Sequence, residues 1–260
     1  MNGEVISRPR EAAPEAQAGA DSDPRRALTR CAWILADEGH ESGLAGQLTA
    51  RGPDEGTFWT LPLGLAFDEA DEASWLLIDD AMNVLAGVGS YGIREPNPAT
   101  RFHLWVYRAR SDVAAIVHTH PPAASVLAAA EQPLVVAHMD ATPLFDDMAF
   151  LPDWPGLPTA HREGELIAGG LGAKHAMLLA HHGLLAAGRS VAEAAFLAVF
   201  IERMARLQVD AAPLGGVKPI DAAEATRARD FLRTDRIMGA TFAAWSRRAA
   251  RRRGHGGGAA

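Results

Sequence analysis

The sequence has little of what a secreted, membrane-bound or nucleic-acid-coating protein needs. It holds one cysteine, Cys31, in 260 residues. That excludes a disulfide framework and a thiolate metal cluster and makes a cytoplasmic compartment the expectation. No window approaches the roughly 18 uninterrupted apolar residues of a membrane-spanning helix, so no membrane partner is expected. Positive charge is in deficit: 25 Lys and Arg stand against 32 Asp and Glu, a formal net charge of −7. This argues against wholesale nucleic-acid binding. The one basic run, Arg247 to Arg253, precedes GHGGGAA and reads as a solvated tail. Residues 1–25 carry charges but no apolar core, so they read as a disordered leader and not a secretory signal.

What is present is a chain that is 48% hydrophobic, ample for one large core. The expected organisation is a single domain over 26–250 followed by a flexible basic, Gly-rich tail over 251–260. There is no internal repeat, and helical and strand patterns alternate, which favours a layered α/β domain. RRALTRCAWILADEG (Arg25–Gly39) has helical apolar spacing at Leu28, Cys31, Ala32 and Leu35, with Gly39 as a stop. QLTAR and TFWT read as strands, and a hairpin is expected at Asp80–Asn83. Pro98 opens a helix with apolar positions at Phe102, Trp105 and Val106. PLVVAH reads as a strand, Met139–Pro158 as a long loop, and HAMLLAHHG as a strand closing on Gly183. Ser190 and Glu193 form a capping box before a long helix. Residues 222–249 form a last helical region.

The informative stretch is VHTHPP. His118 and His120 flank Thr119 at the end of a buried apolar run, and side chains at i and i+2 on a strand share a face. Two imidazoles then converge on one point; the plain alternative is a pair of packed histidines. A third imidazole stands at a distant strand end, His182 or its neighbour His181, which alternation puts on opposite faces. Three nitrogen ligands without cysteine describe an open divalent-metal site of the catalytic kind more than a closed structural one.

Four segments carry a resemblance: HESGLAGQLTAR (His40–Arg51), LPLGLAF (Leu61–Phe67), FHLWVYRARSDVAAIVHTH (Phe102–His120) and AMLLAHHGLLAAGRSVAEAAFLAVFIERMARLQ (Ala176–Gln208). They resemble the class II aldolase/adducin family over roughly residues 28 to 210. The resemblance implies a three-layer α/β/α sandwich around a central mixed β-sheet, commonly a homotetramer. It puts the family's metal histidines at His118, His120 and His182, with Zn2+ as the expected ion and Mn2+ or Fe2+ as alternatives. The departures are as telling. The aldolases' metal-binding, acid/base glutamate falls on Ala99, their proton-donating tyrosine on Met139, and their phosphate-binding residues on Gln47, Leu63–Gly64 and Asn97–Pro98. The N-terminal HESGLAGQLTARGP and TFW are similar to a branch holding adducin-like bacterial proteins and a non-haem iron oxygenase/decarboxylase.

The expected activity is therefore a divalent-metal-dependent carbon–carbon lyase, aldolase or decarboxylase, acting on a small non-phosphorylated oxo- or hydroxy-acid. The alternatives are iron(II) oxygen chemistry at the same three histidines and a non-catalytic adducin-like module. With the glutamate gone, His138, Asp140 and Glu95 are the expected proton carriers. His138 and Asp140 also have the plain reading of a loop cap. His103 is either packed or a partner of the metal ligands. His40 and Glu41 either reach the site or cap a turn. Asp146 and Asp147 read as solvated, and Phe145, Phe150 and Trp154 as packing residues or an aromatic lid.

Overall fold

A computed structural model describes residues 23–154, 156 and 161–255. The expected leader falls outside these residues, except that Asp23 accepts the Arg25 amide and so caps the first helix. The elements in chain order are α1 (Pro24–Asp37), β1 (Gln47–Arg51), β2 (Thr57–Thr60), β3 (Leu76–Asp79), β4 (Val84–Ala86), α2 (Thr100–Ala109), β5 (Ala115–Thr119) and α3 (Pro122–Ala129). They continue with β6 (Met148–Leu151), α4 (His161–Leu171), β7 (Ala176–Leu179), β8 (Leu184–Gly188), α5 (Val191–Ala211), α6 (Ala222–Leu232) and α7 (Asp235–His255).

The strands form one eight-stranded sheet in the order β4-β3-β2-β1-β5-β8-β7-β6. Its pairs are antiparallel except the parallel β6–β7 edge. The mixed sheet and the three layers thus match the expected class. β5 lies inside the sheet between β1 and β8, and all five of its residues are buried, which is why it reads as a continuous apolar run. Alternation divides its side chains between two cores. Ala115 and Val117 join α1, α3, α5 and α7 on one face. Ile116 joins α2 and α4 on the other, and His118, two residues on, lies against Phe102 of α2.

Several expectations need correction. PLVVAH is not a strand. The Val135 N–H donates to Gln208, the Pro133 carbonyl accepts from Gln208, and the Val136 carbonyl accepts from Ile220, so helix and loop groups satisfy this backbone instead of a sheet partner. The loop from Met139 contains a 3-10 turn (Met139–Leu144) and strand β6. β8, LLAAG, was not expected; without β-branched or aromatic residues it carries no strand signal. The basic run is not a solvated tail. α7 continues to His255, Arg248 pairs with Glu38, and Arg252 and Arg253 pair with Asp37 of α1. Asp147 is not solvated either; it pairs with Arg233 and His175. Among the described residues, no helix is long and apolar enough to cross a membrane.

The end of β5 is held by a buried acid. His120 leads into Pro121 and Pro122, and Pro122 opens α3, a position where a missing N–H costs nothing. The next two amides, Ala123 and Ala124, donate to the Glu202 carboxylate of α5 at 3.0 and 2.8 Å. Glu202 is 7% exposed, so no water replaces it. Glu202→Ala is expected to cost about 1–3 kcal/mol, the penalty of two buried unsatisfied donors reduced by relaxation. Thermal unfolding against the parent chain measures it; an unchanged midpoint would show that α3 does not depend on this cap.

Candidate metal centre

His118 leaves β5 toward α2, and its Nδ1 lies 2.8 Å from the Leu184 carbonyl of β8. A carbonyl only accepts, so Nδ1 carries the proton and Nε2 keeps its lone pair. His120 follows on the same face, with its Nε2 3.0 Å from His118 Nε2. His182 arrives from the turn between β7 and β8, where His182 N–H donates to Leu179 and Leu179 N–H to Gly183. Ring centroids of the three stand 4.7–4.8 Å apart, and one nitrogen from each lies within 4.8 Å of the others. His181, the rival for the third position, turns away with φ +56° and pairs with Glu131.

The turn can approach only because residue 183 is glycine. A Cβ there would lie 2.4 Å from the Thr119 carbonyl and 2.5 Å from His120 Cδ2. Behind the strand, Thr119 Oγ1 meets His40 Nδ1 at 2.9 Å. His40 therefore supports the strand end from the opposite face, and Glu41 accepts the Phe67 and Asp68 amides. His103 is fully buried with Nδ1 on Thr49, which in turn meets the Tyr107 hydroxyl. It packs one ring away from His118, at 6.4 Å between centroids.

The electrostatics keep the three rings neutral. Burial holds His118 well below the ordinary histidine value, with His182, His120 and His103 adding to the effect. Burial lowers His120, and burial with the charge of His120 brings His182 to about 4. All three are therefore unprotonated near pH 7, the state in which imidazole binds a metal. At 3.0 Å the two Nε2 atoms need a proton or a cation between them, since His118 Nε2 only accepts. Nitrogens bound to one zinc at 2.0–2.1 Å would stand about 3.3 Å apart. The group fits a divalent ion on this test.

Among the described residues, no carboxylate completes this group. Ala99 sits buried in the first turn before α2, where Asn97 Oδ1 accepts its amide. The three expected proton carriers are elsewhere engaged or exposed. Glu95 is exposed, and its carbonyl accepts the Leu63 amide. His138 and Asp140 are each half exposed, and His138 Nδ1 accepts the Asp140 amide to cap the 3-10 turn. No hydrogen bond or ion pair among the described residues ties any of the three to the histidine group. Gln47 and Asn97, at phosphate-binding positions of the resembled family, are turned inward. Gln47 Nε2 lies 2.8–3.1 Å from Thr60, Thr100 and the Leu61 carbonyl, and Oε1 accepts the Leu48 amide. Asn97 Nδ2 reaches the Gly46 carbonyl. Sequence reasoning missed Glu202 and the Leu184 carbonyl. The first had a signal, a lone acid on the apolar face of FLAVFIE; a backbone acceptor has none.

The chain is similar to known proteins over most of its length. Residues 26–209 match the family described as Class II Aldolase and Adducin N-terminal domain. A 4-hydroxy-3-prenylphenylpyruvate oxygenase/4-hydroxy-3-prenylbenzoate synthase of Streptomyces roseochromogenus subsp. oscitans is 31% identical over 184 residues, 70% of this chain and 65% of the relative. The alignment thus spans a little under two thirds of that relative's length. Decarboxylase NovR of Streptomyces niveus is 29% identical over 208 residues, 79% of this chain and 73% of the relative. An L-fuculose 1-phosphate aldolase structure from Glaciozyma antarctica PI12 superposes with a TM-score of 0.82 and 26% identity, covering 94% of this chain and 96% of that one.

Gly183→Ala is expected to weaken divalent-metal affinity by roughly 10–100-fold, as loss of a support for metal ligands does elsewhere. Competition with a chromophoric chelator measures it; unchanged affinity would show that the turn need not close on His120.

Proposed function

Because the chain belongs to the class II aldolase and adducin family and brings three neutral imidazoles together, we propose that it is a divalent-metal-dependent carbon–carbon lyase. Its substrate on this reading is a non-phosphorylated oxo- or hydroxy-acid, cleaved by retro-aldol or decarboxylation chemistry. His118, His120 and His182 hold the ion, with Zn2+ as the first expectation and Mn2+ or Fe2+ as alternatives. A divalent ion there supplies a Lewis acid that polarises the substrate carbonyl and steadies the charge left when the bond breaks. The protein's part is to hold the three rings neutral and fixed, with the His118 tautomer set by Leu184.

The single observation behind the substrate class is the inward commitment of Gln47 and Asn97. A phosphate dianion needs several free donors, and these amides are spent on the protein's own acceptors. Leu63 and Ala99 contribute no polar side chain. This separates the chain from its structural neighbour, named as a sugar-phosphate aldolase, and sides with the two Streptomyces relatives, whose names carry an aryl-pyruvate and a decarboxylase. The proton carrier on this reading is drawn from His138, Asp140 and Glu95, all at exposed positions. The working state is a cytoplasmic homotetramer.

A second reading, iron(II) oxygen chemistry at the same triad, rests on imidazole accepting iron as well as zinc and on the oxygenase in the first relative's name. A non-catalytic module is disfavoured because the three ligands converge. Tag-free protein is expected to carry about one divalent ion per chain by mass spectrometry, and His118→Ala or His182→Ala to carry almost none. A panel of 2-oxo and 2-hydroxy acids, scored for aldehyde, CO2 and O2 uptake, then divides the reactions. Metal-free wild-type protein, or turnover confined to sugar phosphates, would defeat the lyase reading as stated.

A further inference from the structure

The basic run of α7 divides between two halves of its seam with α1. In one half, Arg248 pairs with Glu38, and Arg252 and Arg253 pair with Asp37. The acids that end α1 neutralise that half. Arg247 stands on the other half, at an exposed position. Among the described residues, no hydrogen bond, ion pair or ring contact engages it.

Arg247 borders a groove of about 440 Å3 between the two helices. Ala27 of α1 and Phe242, Ala243 and Ala250 of α7 give it apolar walls, and Arg30 of α1 supplies a second guanidinium. Alanine at three of these positions leaves the seam open where larger side chains would fill it. Arg30 lies over the Trp33 ring at 4.5 Å, and a guanidinium stacked on its face keeps its in-plane N–H donors. No carboxylate lines the groove among the described residues. Arg26, also beside it, meets Glu72 at 3.8 Å, but both side chains are more than half exposed and such a pair is worth little in water. In a chain of net charge −7, this is a local inversion of sign.

The volume falls in the range of roughly 300–1,000 Å3 that small-molecule sites occupy. A bare anion would leave the apolar walls wet, and a neutral apolar body would leave the guanidiniums without a partner. We propose that this groove binds a small amphiphilic organic anion. Its aliphatic or aryl body lies on Phe242 and the alanines, and its carboxylate meets Arg30 and Arg247. The site is separate from the histidine group. α1 is about 20 Å long; its far end leads through Gly39 to His40, which braces β5, whereas the groove takes residues of its first two turns. The ligand is therefore a second molecule and not the compound turned over at the metal, and the assignment stands apart from the lyase reading.

The test is calorimetry on the full-length, tag-free protein with monomeric octanoate as the probe and acetate, 1-octanol, inorganic phosphate and phosphatidylglycerol vesicles beside it. Octanoate is expected to saturate one site per chain. Acetate and 1-octanol are each expected to bind about tenfold or more weaker, one lacking the apolar body and the other the charge. Arg247→Glu, which reverses an exposed charge, and Ala243→Trp, which fills the groove at constant charge, are each expected to weaken octanoate about tenfold or more. Metal content and circular dichroism are expected to match the parent chain in both. Octanoate affinity unchanged in the folded variants would put the ligand elsewhere and overturn the assignment. Acetate or phosphate binding as tightly as octanoate would reduce the groove to a bare anion contact, and 1-octanol binding as tightly would remove the guanidiniums from it; either overturns the amphiphile. Vesicle adsorption without saturable octanoate binding would replace the small molecule by a membrane surface.

Discussion

Two imidazole nitrogens held 3.0 Å apart on one face of a strand end are the constraint on which this structure depends. A shared proton or a cation satisfies that pair, and the surroundings hold its geometry. The Leu184 carbonyl sets the His118 tautomer from the next strand. Thr119 and His40 brace the strand from behind, and Glu202 fastens the chain just past His120. Each support comes from a different element, so the geometry is a property of the packed sheet and not of the dipeptide.

The same packing commits the polar groups that surround this strand end. Gln47 lies opposite His118 in the β1–β5 register, and its amide faces into the helix layer, where Thr60 and Thr100 absorb it. Glu41 and Glu69 fill the amide nest of residues 66–68. The family's scaffold is retained, but its polar groups are satisfied internally.

Much of this was legible beforehand because it rests on local periodicity and on side-chain type. The i, i+2 histidines on an apolar run and the Pro-Pro helix start hold, and Ser190 caps α5 by accepting the Glu193 amide, while the Glu193 carboxylate takes the Arg189 amide instead of the Ser190 amide of a full capping box. What was misread rests on partners distant in sequence. PLVVAH has strand composition but finds Gln208 and Ile220 instead of a neighbouring strand. LLAAG lacks strand composition but finds β5 and β7. The arginines of α7 look like a tail until Asp37 and Glu38 are seen beside them.

The sequence by itself determined the ligand chemistry: three imidazoles, no thiolate and no glutamate at Ala99. Residue type settles those matters, since softness, charge and donor count belong to the side chain. Only the tertiary structure decided which histidine completes the group, which tautomer His118 adopts, and that Gln47 is spent inward. Those depend on distances across 60 or so residues of chain, closed by β8 pairing with β5, and a hydrogen bond reads distance and angle, not sequence order.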